Sequence, residues 1–308
     1  MSFLALVLGV AAGLAMALQS PTNSALSQKV GNAQATLVSF AGGTALLLVL
    51  ALTIGQGDLT KLAGVSWWQV LGGLYGAFMV LSITYAVPVL GVALTLTVIM
   101  AGQLSMGMVI DANGLFHAQH IPITPLRLLG VAIVVAGIVL VYIGRKRGMG
   151  AAKPVKHSKG HMALLLGICF LSGVGGAIQA PTNASLGAAI GTVEASFVSF
   201  AGGLVLIFIY SLVITKGHFA SLRGISKWKM LGGVYGAGNV ICVTTATPTL
   251  GVSLLMGCLM FGQLGGGMVI DAKGWFATKQ IRIDAWRCVG VVLIAAGIIV
   301  VTASKLLA

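Results

Sequence analysis

Carboxamides lie well inside long apolar runs of this chain, among them Gln19, Asn23, Gln103, Gln179, Asn183 and Gln263. An uncharged amide offers donors and acceptors together. In an apolar interior it is costly unless a partner is found, so each position marks either a hydrogen bond between helices or a place that binds a polar molecule. Gln19, Thr22 and Asn23 are spaced i, i+3, i+4 and share one helical face. Pro21 lies among them, removes a backbone hydrogen bond and predicts a kink or local opening. Gln179, Pro181, Thr182 and Asn183 present the same set again. Tyr75 and Tyr235, each with an apolar body and one hydroxyl, can line the same cavity. The chemistry on offer is recognition of a solute through hydrogen bonds, without bond-making.

Ionisable groups are scarce. Asp111 and Asp271 each close an apolar run, and Arg127 and Arg287 open the next, a pattern that suits ion pairs at a membrane interface. Proton coupling through Asp111, Glu194 and Asp271 is the sharper alternative. Glu194 stands at the start of a run, where a carboxylate favours the helix dipole. The histidines fall between the apolar runs. Cys169, Cys242, Cys258 and Cys288 lie inside them without paired or metal-ligand spacing. No catalytic cluster, metal or cofactor is expected.

The elements that carry these residues form two copies. Residues 4 to 148 align with 164 to 308 at a constant offset of 160 without a gap, and 60 of the 145 pairs are identical. Gln-Ser-Pro-Thr-Asn at 19–23 meets Gln-Ala-Pro-Thr-Asn at 179–183, and Val-Ser-Phe-Ala-Gly-Gly at 38–43 recurs unchanged at 198–203. Gly-Gln-Leu at 102–104 and Gly-Met-Val-Ile-Asp at 107–111 recur at 262–264 and 267–271. Asn239 has no polar counterpart, because Met79 occupies the equivalent position. It is a candidate for asymmetric recognition of a substrate.

The chain is 58% hydrophobic and 7% charged, with mean hydropathy +1.05. Too little polar surface exists to face water, and the predicted class is an all-α polytopic membrane protein. Apolar runs over 3–30, 33–54, 68–87, 90–111 and 127–144, then 163–190, 193–215, 228–247, 250–271 and 287–303, predict ten spans. Pro88 and Pro248 are read as turns between spans. The first run reads as a membrane helix and not as a cleaved signal peptide. Five spans per copy thread the two copies in opposite senses, an arrangement of secondary transporters. Lys61, Arg127 and Lys305 fall on one side and the other fifteen Lys and Arg on the opposite side, six of them between Arg145 and Lys159. The positive-inside rule then makes the linker cytoplasmic and both termini extracytoplasmic in an inner (plasma) membrane. The expected organisation is a first repeat at 1–148, a basic linker at 149–162 and a second, inverted repeat at 163–308.

The repeated Gln-x-Pro-Thr-Asn, Ser-Phe-x-Gly-Gly, Gly-Gln-Leu and Gly-Met-Val-Ile-Asp stretches resemble the YdcZ-type branch of the drug/metabolite transporter superfamily, over nearly all the chain except the linker. The resemblance implies a fused pair of five-helix units acting as an inner-membrane exporter. The superfamily's small multidrug exporters use a glutamate in the first helix to exchange protons for cationic drugs. Here Gln19 and Gln179 stand instead, which disfavours cationic cargo. The resulting expectation is a secondary transporter of a small polar or zwitterionic metabolite. It would work by alternating access, one bundle rocking against the other around Gln19, Asn23, Tyr75, Gln103, Gln179, Asn183, Tyr235, Asn239 and Gln263. A carrier or flippase for an amphipathic or lipid-linked molecule, and small-drug efflux, are the rival readings. Partners are a small molecule and membrane lipid, with no nucleic acid. A chain holding both halves can act as a monomer, and a homodimer stays open.

Overall fold

Runs of 19 to 32 residues with almost no charge have one way to satisfy their backbone in lipid, and they form helices. The computed structural model describes residues 3–90, 92–149, 158–277 and 280–307. Among them are ten α-helices: α1 (Phe3–Val30), α2 (Asn32–Thr53), α3 (Gly72–Leu90), α4 (Val92–Asn113), α5 (Pro125–Met149), α6 (Lys159–Ile190), α7 (Thr192–Thr215), α8 (Gly232–Leu250), α9 (Val252–Lys273) and α10 (Ala285–Leu307). Among the described residues eight are long and apolar enough to cross a membrane; α8 is less apolar. In α8 the shortfall follows from Asn239 and its run of threonines between Thr244 and Thr249. The helix α6 starts at Lys159, capped by Ser158, whose hydroxyl accepts from the His161 N–H at 3.2 Å. It therefore reaches into the segment expected as linker; linker residues 150–157 lie outside the described residues.

Both α1 and α6 run as continuous helices through Pro21 and Pro181, each proline leaving the carbonyl four residues earlier without its helical donor. The turns expected at Pro88 and Pro248 are not found. Pro248 lies inside the last turn of α8, and the turn is made by Gly251 at φ 79°. Pro88 likewise falls within α3.

The repeats are inverted, and equivalent helices show it directly. In α2 and α7 the Ser211 hydroxyl bonds to Ala33 O at 3.0 Å, while Phe40 and Phe200 stack at 5.3 Å farther along. Those contacts require antiparallel helices. The same holds for α5 and α10, where Gly130 faces Gly297, Gly137 faces Gly290 and Gly144 faces Arg287. Yet the repeats are not separate bundles. The first helix, α1, packs chiefly on α8 and α9, and its counterpart α6 packs on α3 and α4. Each half supplies the walls of the other.

Candidate functional site

A cavity of about 420 Å³ opens between α1, α3, α4, α5 and α9. That size suits a small organic molecule, since ligand sites run roughly 300–1,000 Å³. Gln19, Asn23, Gln103, Gln263 and Asp271, all expected from sequence, line it. Ser20, Ser24, Arg145 and Arg287 join them, with an apolar floor that includes Met79, Met100 and Met268. The mouth lies at the end of the molecule where α1 turns into α2, α5 leaves for the linker and α9 gives way to α10.

The other expected residues lie elsewhere. Asn183 is 1% exposed and seated against Gly72 of α3; Gln179 lies against Gly76 of the same helix. Asn23 and Gln19 make the mirrored approach to Gly232 and Gly236 of α8. The missing side chains of these glycines are what admit the amides. Asn239 donates to the Ala12 carbonyl at 3.0 Å and ties α8 to α1. Tyr75 packs by Gly175, and neither tyrosine lines the cavity. Glu194 is buried in the first turn of α7, where its Oε1 accepts from the Gly57 N–H at 2.9 Å.

The repeat equivalence sharpens the picture, because one half is open where the other is shut. Ser20 and Ser24 are exposed in the cavity; their counterparts Ala180 and Ala184 are buried. The C-terminal half of α6 packs along α8, with Ala177, Ala180, Val243 and Ala246 in one core. The equivalent α1 and α3 make no comparable contact among the described residues. A methyl placed on Gly107 would come within 3.2 Å of Ser253 Cα, whereas one placed on Gly267, its counterpart, would meet nothing within 4 Å.

At the shut end Asp111 is fully buried and saturated. Its carboxylate accepts from the Val252 N–H at 2.6 Å, the Ser253 N–H at 2.9 Å and the Ser253 hydroxyl at 2.8 Å, and it pairs with Arg127. It caps the N-terminus of α9, where unpaired N–H groups and the helix dipole favour an anion. Arg127 also donates to Ile121 O at 2.7 Å and to the Ser253 hydroxyl at 2.6 Å. At the open end the counterpart Asp271 bonds to Arg287 at 2.8 Å and pairs with Arg145 at 3.3 Å, and no bond joins it to the start of α4 among the described residues. The ion pairs foreseen in sequence are therefore both made, and that of Asp111 also holds the start of α9.

Similarity to known proteins fits this architecture. No curated protein matches the chain in sequence. A solved structure titled "Crystal structure of protein" superposes with TM-score 0.72 at 16% identity, covering 98% of this chain and 97% of that one, which shows a shared fold. A family model described as "Putative inner membrane exporter, YdcZ" matches residues 4–140 and again residues 164–300, the two copies found above, and the chain belongs to that family as an internally duplicated member.

Proposed function

We propose that this transporter moves a small polar or zwitterionic metabolite outward by alternating access, and that the structure is its cytoplasm-facing state. One observation supports the reading above the rest: two repeats that share 60 of 145 aligned residues hold different conformations, one open between its first and third helices and one closed. Exchange of those conformations between the repeats closes the present mouth and opens the opposite end. The order of spans in the sequence assigns fifteen of the eighteen Lys and Arg to the side on which the cavity opens, and the positive-inside rule then favours the cytoplasm for that side. Cargo would then be loaded from inside, as an exporter requires. Because α1 is built into the other repeat's wall, the moving bodies are mixed sets of helices and not the two sequence halves.

Accessibility tests this. The parent for labelling has its four native cysteines replaced by alanine. In that background Ser20→Cys should react with a membrane-impermeant maleimide from the cytoplasmic face, and Ala180→Cys should react at least ten-fold more slowly. Equal rates at the two positions, or labelling of Ser20→Cys only from outside, would reject the assignment.

The Asp111 bolt gives a second expected result. Asp111→Asn keeps the shape but leaves Arg127 buried without its counter-charge, a change that costs about 3–5 kcal/mol in buried pairs. The shut end should loosen, and labelling of Ala180→Cys should accelerate at least ten-fold. An unchanged rate would show that Asp111 does not hold the closure.

A further inference from the structure

We propose that the cargo carries a carboxylate, held at the cavity mouth by Arg145 and Arg287: the substrate is an organic monoanion or a zwitterion presenting its acid group there, on an apolar body. This rests on the reading of the cavity as the transport site and narrows its chemistry.

Three observations carry the inference. The ionisable groups lining the cavity are Arg145, Asp271 and Arg287, two guanidiniums on one carboxylate, with Asp284 beside them accepting from the Arg287 backbone N–H at 3.0 Å. Both guanidinium groups converge on the same oxygen, Asp271 Oδ2, at 3.3 and 2.8 Å. Arg287 is 1% exposed, yet its Nε and Nη1 have no hydrogen-bond partner, while Arg145 Nε is ion-paired with Asp271.

The other repeat shows what a purely structural arrangement looks like. Arg127, the counterpart of Arg287, meets one acid, two backbone carbonyls and a serine hydroxyl, and the cluster around it is neutral. Around Arg287 the sequence has Ala93 where the other repeat has Ser253, Arg145 from α5 joins the cluster, and Asp284 replaces Thr124 as acceptor of the Arg287 backbone N–H. Buried donors without partners are costly, so a group that supplies acceptors binds favourably here. A planar carboxylate matches guanidinium geometry and supplies acceptors to the donors of Arg287 that lack them. Gln19, Gln103 and Gln263 serve polar substituents elsewhere in the cavity, and the methionine-rich floor takes the apolar body.

The test uses the Ser20→Cys protein in proteoliposomes and three sets of probes, each a carboxylate with its amine and alcohol analogues. These are phenylacetate, phenethylamine and phenylethanol; hexanoate, hexylamine and hexanol; and leucine, leucinol and isoamyl alcohol. At least one carboxylate should slow maleimide labelling at a concentration ten-fold below that needed by its analogues. Arg145→Gln, whose side chain is a quarter exposed and removable without stranding a buried charge, should raise the protecting concentration at least ten-fold while unprotected labelling stays unchanged. If no carboxylate outperforms its analogues, or if Arg145→Gln leaves protection unaltered, the anion site is overturned while the open cavity stands. If Ser20→Cys is unreactive from the cytoplasm, the cavity reading falls and this inference with it.

Discussion

A disulfide between Gly187→Cys and Thr244→Cys should abolish transport, and reduction should restore it. A Cβ built on Gly187 lies 3.0 Å from Thr244 Cγ2, so two cysteines there fall within bridging range. The bridge would staple α6 to α8, a contact that α1 and α3 do not match among the described residues. In the cysteine-free background the oxidised protein should lose at least ten-fold in transport of whichever carboxylate protects Ser20→Cys. Meanwhile that same position, followed in the triple variant, should stay reactive from the cytoplasm. This pairing of dead transport with a live cavity separates a locked carrier from an unfolded one. Undiminished flux through the bridged protein would mean that this end need not open.

Replacing Gly13 or Gly173 with leucine should eliminate folded protein. A methyl on Gly13 would collide with the Leu259 carbonyl oxygen and lie 2.7 Å from the Gln263 nitrogen. One on Gly173 would collide with the Ile99 carbonyl oxygen and lie 3.0 Å from the Gln103 nitrogen. The obstacles are backbone atoms of α9 and α4, which cannot swing aside as a side chain can. Close approach of small residues holds membrane helices together. Overpacking even an adaptable core costs about 1–3 kcal/mol, and a backbone wall places these two at or beyond the upper end. Gly167, with open space around it, is the control, and Gly167→Leu should give normal yield. The check is the amount of monodisperse protein recovered in mild detergent. Normal recovery of Gly13→Leu would show that the α1–α9 contact is not needed for folding.

Helix positions and the inversion were readable because each rests on a repeated signal. Apolar length marks spans, and two odd-numbered copies must oppose one another. The Asp111–Arg127 and Asp271–Arg287 pairs were readable for the same reason, since an acid ending one helix and an arginine opening the next meet at one membrane face. Proline was over-read as a turn: Pro88 and Pro248 lie inside α3 and α8, and Gly251 makes the turn after α8. The cavity was only half legible. Gln19 and Asn23 line it while Gln179 and Asn183 do not, and identical residues cannot reveal which copy is open. The clue lay in the differences between the copies. Ser20, Ser24 and Ser27 are replaced by Ala180, Ala184 and Gly187, hydroxyls on the wet face against small apolar residues on the sealed one. Arg145 was masked by its place at the head of a basic linker, where it reads as a topology charge.

The interleaving of the halves bears on biogenesis. The ribosome releases α1 long before α8 and α9, so a nascent first helix waits in the bilayer, its amides unmatched, until most of the polypeptide has been inserted. Contacts so distant along the chain make late, slow assembly the rule. A prematurely terminated product would be left with raw, unsealed flanks and become a target for membrane quality control.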